Sequence, residues 1–315
     1  MRTRIIVGTL MAALAACMLF ADLFLEPTYP FLLIVVLLLA AAACSELHRL
    51  LAAVPHRPPF WLCAGGVLAV LLANWPVHIL VHLAGAARVK ELGVDPWQFV
   101  VFTFAAVAMV AFAVEIPRYR DVPGAVPRVA LALFFVAYLG LLPSFFVQLR
   151  WPPPDSGGLT MAIFVPKCGD IAAYFTGRFF GGRFLGPHRM APVLSPKKTW
   201  EGFAGGMVGA AAAAVALDFF HLDKDAVQRG DFMHLLSPHP VMIGGVWTAL
   251  GFGVTVGLVG VVGDLAESLI KRDCRRKDAS QTVPGFGGVL DVIDSVVFAA
   301  PVAYLWLRWL YWRPV

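Results

Sequence analysis

The chain has 315 residues, 59% of them apolar and only 14% charged, with a formal net charge of +5 and a mean hydropathy of +0.77. Soluble domains are about 45–50% apolar and about 25% charged, so this chain has too few polar side chains to cover a water-facing surface of its size. The composition excludes a soluble protein and implies an all-α integral membrane protein.

In chain order, about nine apolar segments reach roughly spanning length. They lie at about 5–25, 30–45, 60–84, 97–114, 128–149, 158–180, 200–220, 240–263 and 289–312, with boundaries good to a few residues. The first begins after Arg2 and Arg4 and contains LAAC at 14–17, which resembles a lipoprotein cleavage box. The apolar run continues through MLFADLFL, where a cleaved signal would turn polar, so an uncleaved first helix is expected. Cys17, Cys44, Cys63, Cys168 and Cys274 form no CxxC and no Cys/His cluster, which leaves neither a disulfide framework nor a zinc site. No soluble domain is inserted, and no transporter-type internal repeat is visible.

Lysine and arginine set the orientation. With the N-terminus inside, the cytoplasmic connections include Arg49 and Arg57, and then Arg118, Arg120 and Arg128. The sixth and eighth loops add Arg178, Arg183, Arg189, Lys197 and Lys198, and then Lys271, Arg272, Arg275, Arg276 and Lys277. The opposite side holds fewer: Arg88, Lys90, Arg150, Lys224, Arg229, Arg308 and Arg313. The expected topology is N-in and C-out, with residues 1–150 as a scaffold of about five helices carrying lipid contacts. Residues 151–315 form the expected catalytic region of about four helices, with cytoplasmic loops 178–199 and 264–288.

Those two loops hold most of the chemistry. In GDLAESLIKRDCRRKD, Asp264, Glu267, Ser268 and Lys271 share one face of a helix. An acidic face at the end of a spanning helix is costly without a partner, and Arg272, Arg275, Arg276 and Lys277 follow as a cluster suited to phosphates. Asp291, Asp294 and Ser295 repeat the spacing on the next helix, after the glycine-rich turn 285–288. That turn can bring Asp264 and Asp291 together around a cation, and Mg²⁺ favours one or two carboxylates plus substrate phosphates. Taken singly, such residues are most often topology determinants, lipid contacts or helix caps. Their density over about thirty residues exceeds what capping requires.

In FVPKCGDIAAYFTGRFF, Lys167 and Asp170 lie one turn apart inside an apolar stretch, as an ion pair or facing a polar cavity. In SPKKTWEG, Pro196 at a first helical position predicts a helix beginning at Ser195-Pro196. Lys197, Lys198 and Thr199 would then flank free N–H donors as an anion site, with Glu201 following. The spacing is not that of a P-loop, so an ATPase is not supported.

SPKKTWEG at 195–202, together with GDLAESLIKR, KD and PGFGGVLDVIDS through 263–295, resembles the bacterial phosphatidate cytidylyltransferases, or CDP-diacylglycerol synthases. The likeness runs from about Asp170 onward. It implies a multi-helix, usually dimeric membrane enzyme, with dimer contacts in the 1–150 scaffold and a polar active-site cavity opening to the cytoplasmic face of the bacterial inner membrane. Such an enzyme makes CDP-diacylglycerol and pyrophosphate from CTP and phosphatidate. It needs Mg²⁺, with or without a second cation, and no nucleic acid.

By motif position, the resemblance places metal on Asp264 and Asp291 and catalytic roles on these two with Lys271, Arg272 and Lys277. Substrate-binding positions are Asp170, Ser195, Lys197, Lys198, Thr199, Glu201, Glu267, Ser268, Asp278 and Asp294. The family pattern has His where this chain has Phe286 and Arg where it has Val292. The rivals are another lipid phosphotransferase or lipid kinase, a secondary transporter, and a non-catalytic anionic-lipid-binding protein.

Overall fold

In a computed structural model, residues 2–120, 123–151, 157–184, 186, 189–222, 236–237, 245–285 and 287–311 are described. Phe286, Lys224, Arg229 and Arg313 lie outside them. Among the described residues the chain is overwhelmingly helical, and eight helices are long and apolar enough to cross a membrane. These are Ile6–Leu25, Pro30–Ala53, Phe60–Ala84, Pro96–Arg118, Ala125–Gln148, Trp200–Phe219, Val246–Asp273 and Leu290–Arg308. The remaining expected segment also forms a helix, Gly157–Phe180, but its interior Lys167 and Asp170 leave it less apolar than the eight.

The chain divides into two compact units, Met1–Ser144 with Asp278–Val292, and Phe145–Lys277 with Ile293–Val315. In the first unit, α1 (Arg2–Ala21) precedes α2 (Pro30–Leu50), which starts with proline at its first position. Its open N–H groups are capped from outside the helix: buried Asp22 accepts from Phe31 N at 3.0 Å and Leu32 N at 2.7 Å. The expected 60–84 segment is two helices, α3 (Phe60–Leu72) and α4 (Pro76–Ala84). Pro76 cannot continue the ladder of α3. At the break, buried Asn74 donates to Val70 O, Leu71 O and Ser144 Oγ at 2.9–3.1 Å. A short α5 (Ala86–Glu91) leads to α6 (Pro96–Glu115), which has a capping box from Asp95 and Gln98. The next crossing runs through α7 (Ala125–Val136), a π turn (Ala137–Leu141) and α8 (Leu142–Gln148). Arg128 at its start pairs with buried Glu115 at 2.5 Å, and Leu32, Leu47, Leu71 and Phe135 are core residues of this unit.

The second unit is a tight packing of α9 (Gly157–Phe180), α10 (Trp200–Phe219), α11 (Val246–Asp273) and most of α12 (Leu290–Tyr311). Small residues let these helices approach. Gly202, Gly206 and Ala210 recur every four residues along α10, and they meet Ala173 and Gly169 of α9. At 28 residues, α11 rises about 42 Å, more than a hydrocarbon core of about 30 Å. Its acidic and basic end is therefore helix rather than loop.

One expectation is corrected here. Ser195–Thr199 is not the start of a helix but a strand, β2, paired antiparallel with β1 (Arg189–Ala191). The helix begins at Trp200, because extended Thr199 is the better cap and its Oγ1 accepts from Gly202 N at 3.1 Å. Lys197, Lys198 and Thr199 therefore do not line a helical turn, and the N–H at Gly202 is already taken. A second short pair, β3 (His221–Leu222) and β4 (Leu236–Ser237), follows α10.

Candidate active site

The second unit gathers charge from four elements. Lys167, on α9, places its ammonium 2.7 Å from Ser295 Oγ, 3.3 Å from Asp170 Oδ2 and 3.6 Å from Asp294 Oδ1. Ser295 donates onward to Asp170 Oδ2 at 2.9 Å, and its own N–H holds Asp294 Oδ1 at 2.6 Å. Of the two readings open for Lys167 and Asp170, an ion pair or a polar cavity, the ion pair is present, as part of a network with α12.

Beside it, Lys198 of β2 lies 2.8 Å from Asp264 Oδ2 of α11. Fully buried Glu267 pairs with Lys271 one turn along the same helix. Gly263 permits the close approach of α11 and α12 here, since a methyl group on it would sit 2.6 Å from the Asp294 carbonyl oxygen.

One ligand atom from each of Asp264, Glu267 and Asp294 lies within 4.8 Å of the others. Among the described residues, Asp170 and Asp294 pair with Lys167, Asp264 with Lys198, and Glu267 with Lys271. Converging, largely buried carboxylates repel one another unless a cation lies among them. An all-oxygen donor set of three converging carboxylates fits a hard divalent ion such as Mg²⁺.

The other expected site residues fall as follows. Ser268 is buried on the same helix as Glu267. Arg272 is exposed and donates to Leu194 O and Arg276 O at 3.1 Å, which ties the end of α11 to the β1–β2 hairpin. Lys197, Lys277 and Asp278 are exposed, and Ser195 is half-buried. Glu201 is buried and accepts from Gly182 N at 3.0 Å and Phe184 N at 3.2 Å, so it closes the loop after α9. Partial burial, with Asp273 beside it, raises the thiol pKa of Cys274 at the end of α11.

Asp291 belongs to the first unit. Its Oδ2 accepts from Gly288 N at 2.7 Å and Ala279 N at 3.2 Å, folding the glycine turn around the carboxylate. Glu46 was not among the expected site residues. It is 1% exposed on α2 and binds the same turn. Its signal is a lone acid near the end of an apolar helix, and the expected second segment, 30–45, stops one residue short of it.

A model of the family described as the Cytidylyltransferase family matches residues 2–310. Among curated proteins, the chain is similar to phosphatidate cytidylyltransferase 5, chloroplastic, of Arabidopsis thaliana, with 33% identity over 202 residues, covering 58% of this chain and 45% of that protein. It is similar to the phosphatidate cytidylyltransferase of Brucella suis biovar 1 (strain 1330), with 37% identity over 179 residues, covering 56% and 55%. A third relative is the phosphatidate cytidylyltransferase of Mycobacterium tuberculosis (strain ATCC 25618 / H37Rv), with 30% identity over 182 residues, covering 58% and 48%. The chain spans about half the length of the curated relatives it matches.

Proposed function

The chain belongs to the cytidylyltransferase family, and from that membership we propose that it transfers CMP from CTP to phosphatidate, releasing CDP-diacylglycerol and pyrophosphate. The observation that supports this best is the 2.8 Å pair between Lys198 and Asp264. It joins the two separate motifs, SPKKTWEG and GDLAES, on which the resemblance rests.

The chemistry asks little of a general base. A phosphate oxygen of phosphatidate, ionised at neutral pH, attacks the α-phosphorus of CTP. The new P–O bond forms as the bond to the β-phosphate bridging oxygen breaks, and that electron pair leaves with pyrophosphate. The obstacle is assembling anions, so fixed cations carry the catalysis. Lys198 is held by Asp264, and Lys167 by Asp170, Asp294 and Ser295. They give a rigid cationic lining, while Lys197, Lys271, Arg272 and Lys277 clamp phosphates. Ser195, Thr199, Glu201, Glu267 and Ser268 shape the substrate-binding region around them, and Asp278 keeps the substrate-binding role its motif position implies. Asp264, with Glu267 and Asp294, would hold Mg²⁺, and Asp291 keeps the metal-binding role its motif position implies. When bound, Mg²⁺, with or without a second cation, supplies charge neutralisation for the triphosphate and the leaving pyrophosphate.

The loss of the family His at Phe286 is compatible with this route, because no step needs a proton acceptor there. We place the protein in a bacterial inner membrane as an N-in, C-out homodimer, with nine crossings and a site facing the cytoplasm.

The test is a detergent-purified assay with phosphatidate and CTP labelled at the α-phosphate. Label in a CDP-lipid, with stoichiometric pyrophosphate, is expected. A phosphorylated lipid plus CDP would identify a kinase instead, and counterflow uptake without CTP consumption would identify a transporter.

A further inference from the structure

A buried carboxylate in an apolar helix is costly unless its oxygens are bonded. Glu46 meets that requirement entirely through the turn before α12. Its Oε1 accepts from Ser280 Oγ at 2.6 Å, from Thr282 Oγ1, and from Val289 N at 3.0 Å, while Oε2 accepts from Leu290 N at 2.9 Å. Among the described residues no lysine or arginine pairs with it. Its charge is balanced by two hydroxyls and two N–H groups at the N-terminus of α12, where the helix dipole favours an anion.

These anchor points interleave with those of Asp291. Asp291 takes the N–H groups of 279 and 288, and Glu46 takes the hydroxyl at 280 and the N–H groups of 289 and 290. The turn is built for this double clasp. A methyl group on Gly288 would lie 2.4 Å from Glu46 Oε2, and Gly287, at φ +109°, would place one 2.8 Å from Asp291 Oδ2. The two carboxylates thus bind interleaved positions of one backbone, with the donors of Glu46 at 280 and 289 directly following those of Asp291 at 279 and 288.

We infer that Glu46 is a positioning residue for the transfer reaction: from α2 it fixes the 279–290 turn and thereby the orientation of Asp291. This rests on the transferase reading of Asp291, whereas the clasp itself rests on geometry alone. The test uses the full chain in detergent micelles with Glu46→Gln, whose amide offers a donor where Leu290 N also donates. Hydrogen exchange of the 288–291 amides should accelerate by about tenfold or more. The kcat should fall by at least about tenfold, with KM for CTP nearly unchanged and the unfolding midpoint within a few degrees of the parent.

A lowered midpoint with full turnover per folded molecule would show an anchor of the fold and overturn the positioning role, as would unchanged exchange. Should Glu46→Gln not fold, the Ser280→Ala/Thr282→Val double variant removes two donors and leaves both N–H bonds. It should show faster exchange at 279–283 and a smaller loss of kcat, and parental values for both would sink the inference. If the parent chain makes no CDP-lipid, the transferase reading fails. The exchange data still decide whether Glu46 holds the turn.

Discussion

Lys167 shows how one side chain acquires a role from its neighbours. In isolation a lysine in an apolar stretch is a liability, and here it bridges Asp170, Asp294 and Ser295 within one network. Lys198 and Asp264 act as a second, simpler pair. Asp264 is the more telling target, because it contributes both to this pair and to the group that converges with Glu267 and Asp294. Asp264→Asn should lower kcat by at least about a hundredfold in Mg²⁺ while the protein still folds. Near-normal turnover by the purified variant would remove Asp264 from the mechanism. The i, i+3, i+4, i+7 spacing of Asp264, Glu267, Ser268 and Lys271 was readable in the sequence because it is local to one helix. Their partners Lys198 and Asp294 were not, since nothing along the chain specifies which helix faces that surface.

At the scale of elements, the small-residue stripes decide how close the helices of the second unit come. A methyl group on Gly253 of α11 would lie 2.6 Å from Ala211 Cα and 2.7 Å from the Ala210 carbonyl oxygen, both backbone atoms that cannot rotate away. Gly253→Val should therefore force α10 and α11 apart and cost about 1–3 kcal/mol, read as a lowered unfolding midpoint in detergent. Gly65→Ala in α3 meets nothing within 4 Å and should leave the midpoint unchanged or slightly raised. Equal effects of the two would refute the packing argument. Element boundaries separate the legible from the illegible in the same way. Pro30 and Asp95-Pro96 mark helix starts by local chemistry alone. Ser195-Pro196 misleads, because pairing with Arg189–Ala191 keeps the segment extended until Thr199 caps the helix.

For the whole molecule the open count is that of crossings. Among the described residues eight helices meet the length and apolarity of a span, and Gly157–Phe180 is the helix proposed as the ninth crossing. Its lysine and aspartate are satisfied within the network of Lys167, Asp170, Asp294 and Ser295, so their cost of entering the bilayer is partly offset. Nine crossings put the termini on opposite faces and eight put them on the same face. Accessibility of N- and C-terminal tags in oriented vesicles should therefore place the N-terminus inside and the C-terminus outside. Both termini on one face would show that this helix does not cross. The sequence by itself determined the solvent, the helical class, the basic loops and the family motifs, because hydropathy and short-range spacing are properties of contiguous residues. Only the tertiary structure decided that Lys198 meets Asp264, that Lys167 reaches Ser295, and that Glu46 clasps the turn of Asp291. Each of these contacts joins residues far apart in the chain, brought together by helix packing rather than by local preference.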